Sequence, residues 1–229
     1  MISPDTSSSR PKSLQQQAFD AISRQIVFCR LKPGEKFTIN GLVSSMGMGR
    51  TPIREALVRL QEVGLVEAIP QVSTFVAKIS IHDAESSCFV RESVSTRIAT
   101  ECCACWQPGD LDGAKEANAR MHQAIQAGDK VSYFDADNAV HHQIYRIAGR
   151  ERVYEWMSQI AIPLDRMRWL RLMTETVDTA AFVDEHEAIL AAIEARDVNE
   201  TGYLMTKHVH ELLRDEQKIV DRFPDYFVE

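Results

Sequence analysis

Asp137 and His141 stand four residues apart in a stretch with helical periodicity, so both side chains leave the same face of one helix. Phe134, Ile144, Tyr145 and Ala148 share or border that face, which therefore points into a core. His186 heads a second inward stripe, with Ile189, Leu190 and Ile193 at i+3, i+4 and i+7. His208 sits among Leu204, Met205 and Leu212 on a third. One carboxylate and three imidazoles aimed inward form the nitrogen and oxygen donor set of zinc, nickel, manganese or iron. It is not the set of calcium or copper(I). His142, about 100° further round its helix, and His210, about 200° round from His208, are turned away and serve as contrasts. The alternative is a core cluster in which each histidine is satisfied by a neighbour. Four inward polar groups on an apolar bundle make that harder, since burial without partners costs several kcal/mol.

A second chemistry lies near the N-terminus. In Arg50-Thr51-Pro52-Ile53-Arg54-Glu55-Ala56-Leu57-Val58-Arg59-Leu60, the residues Ile53, Ala56, Leu57 and Leu60 make one apolar stripe. Pro52 suits the first helical turn and Gly64 suits the stop. Arg50, Thr51 and Arg54 lie off the stripe at the positive end of the helix. Guanidinium groups and open N–H donors there suit phosphates and guanine edges.

These residues need elements to hold them. The spacing predicts a helix over 13–29, a turn at Leu31-Lys32-Pro33-Gly34, a short helix over 39–46, and a Gly47-Met48-Gly49 turn into the Pro52 helix. Two helices joined by a short glycine-containing turn are a helix-turn-helix, whose second helix enters the major groove. Residues 65–69 and 74–78 read as two short strands around Pro70-Gln71-Val72-Ser73, which would make a wing. Beyond residue 80 strand signals vanish. Breaks at Pro108-Gly109, Gly128 and Gly149 predict helices near 81–106, 110–127, 130–148 and 151–174. Two more follow, near 178–196 and 197–220, completing an antiparallel all-α bundle.

The charges divide at the same place. The chain of 229 residues is net −7, yet residues 1–80 hold ten Lys and Arg against six Asp and Glu, while the remainder is strongly acidic. A basic module joined to an acidic one fits a chain of which only the first part meets nucleic acid. The expected organisation is a disordered tail at 1–12, a DNA-binding domain at 13–80, and an all-α effector-binding and dimerisation domain at 81–222. No apolar run approaches a membrane span and no signal peptide is evident, so a soluble cytoplasmic protein with reduced thiols is expected. Cys102 and Cys105 have C-x-x-C spacing. Redox sensing is the alternative to buried packing cysteines, and no second pair supports a zinc knuckle.

Residues 13–78 resemble the winged helix of the GntR transcription regulators. The matching residues are Leu31, Pro33-Gly34, Leu42, the run Arg50-Thr51-Pro52-Ile53-Arg54-Glu55-Ala56-Leu57, Leu60 and Gly64-Leu65-Val66. Ser73 stands where that family usually has a wing-tip glycine, and Ile39-Asn40 replace its acidic residue after the Pro-Gly turn. Residues 84–215 resemble the FCD ligand-binding domain of the family's FadR branch. The match is carried by Asp137-x-x-x-His141 with Ala148-Gly149, by Glu185-His186-x-x-Ile189-x-x-Ala192-Ile193, and by His208. Val140 and Arg150 depart from that pattern.

The resemblance implies a divalent metal, zinc first, held by Asp137, His141, His186 and His208 at the base of an effector pocket. It implies a small organic acid as effector, met by Arg91, and DNA contacts from Arg50, Thr51, Arg54 and the wing at Ser73. A homodimer on a palindromic operator is expected, because one recognition helix reads too few base pairs for a genome. Two competing readings remain: a constitutive DNA-binding dimer without effector, and a metallohydrolase tethered to DNA. Against the second, the chain shows no strained nucleophile turn and no phosphate-cradling loop, so an enzyme is not expected.

Overall fold

Ser13 opens the first helix by accepting a hydrogen bond from the Gln16 N–H, and α1 runs Leu14–Val27 with Ala18, Phe19, Ile22 and Ile26 buried. The computed structural model describes residues 12–69, 73–174 and 178–228. The expected N-terminal tail therefore lies almost wholly outside the described residues. The chain turns at Gly34, whose φ of +77° suits a residue without a Cβ, and enters a two-residue strand, β1 (Lys36–Phe37). Helix α2 (Ile39–Met46) is capped by Thr38, which accepts from the Gly41 N–H at 3.0 Å, and is stopped by Gly47 at φ +64°. Helix α3 spans Arg50–Glu62. Strands β2 (Val66–Ile69) and β3 (Ser73–Val76) pair antiparallel, with Val66 opposite Val76 and Ile69 opposite Ser73. β1 adds to the free edge of β3, giving the order β1-β3-β2. This is a winged helix-turn-helix. The third strand is absent from the sequence reading because two residues carry no detectable period.

Contacts divide the chain into two compact units, one ending at Lys78 and one beginning at Ile79. The second is all helical. Its long helices are α4 (Ile81–Cys105), α5 (Asp112–Ala127), α6 (Lys130–Ile147), α7 (Glu151–Ile160), α8 (Ile162–Met173), α9 (Thr179–Glu194) and α10 (Val198–His210), followed by the short α11 (Glu216–Arg222). Asp129, Asp178 and Asp197 each cap a helix by accepting first-turn N–H groups, which fixes where α6, α9 and α10 begin. α4 packs against α6, α8, α9 and α10, while α5 lies against α6 and α9.

Two expected helices are each divided. The segment 151–174 breaks at Ala161, because Pro163 lacks an N–H and occupies the first turn of a new helix. The segment 197–220 ends its α-helix at His210, passes through a 3₁₀ turn at Glu211–Leu213, and restarts at Glu216. No helix among the described residues is long and apolar enough to cross a membrane.

A candidate metal centre and a candidate nucleic-acid interface

Helix α3 buries Ile53, Ala56, Leu57 and Leu60 against its own domain and leaves Arg50, Thr51 and Arg54 exposed. Its N-cap, Gly49, makes no side-chain hydrogen bond, so the first-turn N–H groups point outward without a side-chain cap. An exposed helix end with two arginines and open donors is a ready anion site. Arg59 is used otherwise. It lies 4.3 Å over the Phe19 ring and donates to Gln16, tying α3 to α1. Ser73 is half-buried and begins β3 opposite Ile69; residues 70–72, the rest of the expected wing tip, lie outside the described residues.

Asp137 and His141 leave one face of α6, His186 comes from α9 and His208 from α10. One ligand atom from each residue lies within 4.8 Å of the others. All four are buried, and His186 is wholly so. His141 Nε2 and His208 Nε2 are 3.3 Å apart, and His186 Nε2 is 3.8 Å from the Asp137 carboxylate. Burial pushes His186 down to about 3, with the nearby His208 adding to the effect. His141 is also held well below its usual range, by burial first and then by the Arg91 guanidinium. Both are therefore neutral imidazoles with lone pairs available. Burial alone would raise Asp137, but the Arg168 guanidinium keeps it below its ordinary value and ionised.

The group fits a cation on its own chemistry. Neither ring nitrogen of His186 has a hydrogen-bond partner, nor does His141 Nδ1. Each such orphan costs about 1–3 kcal/mol, and an ion accepting the lone pairs removes part of that cost. Outside this group, Glu185 Oε2 lies 2.8 Å from His208 Nδ1. A carboxylate there fixes the proton on Nδ1 and turns the Nε2 lone pair toward Asp137 and the other histidines. Glu185→Gln should therefore weaken divalent-ion affinity by roughly 10–100-fold while the fold survives. Competition against a chelator measures it, and unchanged affinity would remove Glu185 from the site.

Arg91 lies on the inner face of α4 and is 8% exposed. Among the described residues its guanidinium makes one ion contact, 3.8 Å to Asp165, and no hydrogen bond. It faces a cavity of about 60 Å³ lined also by His141, Ser95, Tyr145, Tyr154 and Asp165. Sequence reasoning missed three residues here: Glu185 as a partner of His208, and Asp165 and Arg168 on α8. Arg168 pairs with Asp137, with Asp165 and with the Asn138 side chain, and lies 4.6 Å over the Phe134 ring. The available signal was two opposite charges at i, i+3 in the helix after Pro163.

The contrast residues are elsewhere. His142 stacks on Tyr154, and His210 is 82% exposed beside Glu92. Arg150 pairs with Glu101. None of the five cysteines forms a disulfide among the described residues. Cys102 is buried, and burial pushes its thiol up to about 12, which suits packing rather than redox chemistry.

Comparison with known proteins agrees with this division. Residues 14–76 match the bacterial regulatory proteins of the gntR family, and residues 87–211 match the FCD domain. The chain is 29% identical to an uncharacterised HTH-type transcriptional regulator of Streptomyces ambofaciens, over 90% of this chain and 86% of that one. It is 23% identical to the HTH-type transcriptional repressor RspR of Escherichia coli, over 94% of each. Among solved structures, McbR/YncC of Escherichia coli superposes with a TM-score of 0.78 at 20% identity, covering 93% of this chain and 99% of the other.

Proposed function

The chain belongs to the gntR family of bacterial regulatory proteins and carries an FCD domain, and from that premise we propose that its operator affinity is set by a small carboxylate bound beside a divalent metal. It is a DNA-binding transcription regulator, not an enzyme. The observation that carries the effector reading is Arg91. A buried guanidinium with five donors, one loose ion contact and an adjoining cavity is arranged to receive an anion. A bundle that served only for dimerisation would have no use for that arrangement.

Asp137, His141, His186 and His208 would hold the metal in the FadR-type manner, zinc being the first choice for this donor set. When bound, the ion supplies positive charge that a carboxylate oxygen can complete. The chain's own residues do the remaining work. Arg91 holds the acid's charge, His141 and His186 stay neutral, and Tyr145 and Tyr154 line the cavity. Arg50, Thr51 and Arg54 would read the major groove, with the wing at Ser73 alongside. A homodimer on a palindromic operator supplies the specificity that one such helix lacks.

The test is a calorimetric panel of small organic acids against the zinc-supplemented full-length protein. At least one acid should bind, and Arg91→Ala should weaken it about tenfold or more, the worth of a charge-assisted hydrogen bond. Equal binding by the variant would contradict the role of Arg91.

A further inference from the structure

The cavity beside His141 presents two charged side chains of opposite sign, and both are under-used. Arg91 makes no hydrogen bond among the described residues. Asp165 is 16% exposed at its side chain, and its Oδ1 accepts from Arg168 at 2.5 Å and lies 3.8 Å from Arg91. No donor reaches its second oxygen among the described residues. The neighbouring hydroxyls are engaged, except that one O–H of the Ser95–Tyr145 pair remains free to donate. Ser95 and Tyr145 bond one another at 2.9 Å, Tyr154 donates to the Asn138 carbonyl at 3.1 Å, and Ser158 donates to the Glu155 carbonyl. The Asn138 side-chain oxygen accepts from Arg168.

A bare carboxylate entering to meet Arg91 would come up against Asp165, and like charges at such separations repel strongly where water is scarce. A ligand with a hydrogen-bond donor on the carbon next to its carboxylate meets no such conflict. Its carboxylate faces Arg91 and its donor faces the open oxygen of Asp165, side by side as the two residues are. The volume of about 60 Å³ holds roughly four waters, which is room for an acid of about three or four carbons.

We propose that this cavity selects short acids bearing a hydroxyl or ammonium group beside the carboxylate, and that Asp165 is the specificity-determining residue that reads the donor. The selectivity rests on the carboxylate reading given above. It goes beyond it by requiring a second, oppositely directed group on the ligand.

A matched three-carbon series tests it on the zinc-supplemented full-length protein by calorimetry. The probes are propanoate, lactate, alanine and lactamide. In the wild type, lactate or alanine should bind roughly 10- to 100-fold more tightly than propanoate, the effect of a hydrogen bond to a charged group. Whichever wins identifies the donor as hydroxyl or ammonium. Lactamide, which keeps the donor and lacks the carboxylate, should not bind. Asp165→Asn should bring the preferred acid to within about threefold of propanoate, because the amide is a weaker acceptor and no longer repels the bare acid. If that variant fails to fold, the wild-type series alone decides. Propanoate binding as tightly as both substituted acids overturns the selectivity and leaves the carboxylate reading standing. If no acid of the series binds, the carboxylate reading falls and the selectivity with it.

Discussion

His186→Ala should strip the helical domain of its divalent ion. Wild-type protein loaded with zinc and freed of excess should carry close to one ion per chain, and this variant almost none. The residue is wholly buried, both ring nitrogens lack a partner, and its Nε2 lies 3.8 Å from the Asp137 carboxylate. Losing one of four ligands should cost more than the roughly 10–100-fold expected when an outer partner is changed. His208→Ala should behave alike. His142→Ala and His210→Ala should keep the ion, since one ring stacks on Tyr154 and the other is exposed. Stability gives a second readout. An ion bound at a thousandfold excess over its dissociation constant stabilises the folded state by about 4 kcal/mol, so zinc should raise the melting temperature of the wild type and not of His186→Ala. Elemental analysis decides. Equal losses in all four variants would mean that the inward histidines have no special role, and no ion in folded wild type would reduce the cluster to a polar core.

Arg54→Ala should weaken specific operator binding by about 1–3 kcal/mol, roughly the worth of one bidentate contact to a base. Arg50→Ala should do the same. Both side chains are exposed and neither is among the buried residues Ile53, Ala56, Leu57 and Leu60, so neither change removes the packing that holds the helix. The salt dependence separates their roles. An arginine on phosphate reduces the salt slope by about one and weakens all sequences alike, whereas one on a base edge relaxes specificity at a single position. Titration at matched salt, with operator and scrambled duplexes, reads both. Unchanged affinity in the two variants would remove α3 as the reading helix.

What could be read from the chain was what depends on near neighbours. The stripe Ile53, Ala56, Leu57, Leu60 and the pair Asp137, His141 follow from helical spacing, so their facing was legible and the structure gathers the four expected ligands. Pro163 was visible too, yet the pattern was read through it, because the flanking residues stay helical on both sides. β1 was not legible. Lys36 and Phe37 form a strand only because β3 offers an unpaired edge, a long-range fact. The partners around the site were hidden for a similar reason. A charged residue on a helix reads as solvated, and only packing shows that Arg168 turns inward to Asp137 and Asp165. Arg91 was marked by the resemblance and not by the pattern of its helix. The buried face of α4 carries Ser87, Cys88, Arg91 and Ser95, too polar to mark itself as inward by hydropathy.

Operator affinity measured with and without the tightest-binding acid tests the link between the two halves most directly. Coupling of about 1–3 kcal/mol would change the wild-type operator affinity roughly 5–150-fold, and the acid's own affinity must change by the same factor when operator is present. Asp137→Ala and Arg91→Ala should show no change. An acid that binds beside His141 in the wild type yet leaves operator affinity unmoved would contradict the coupling.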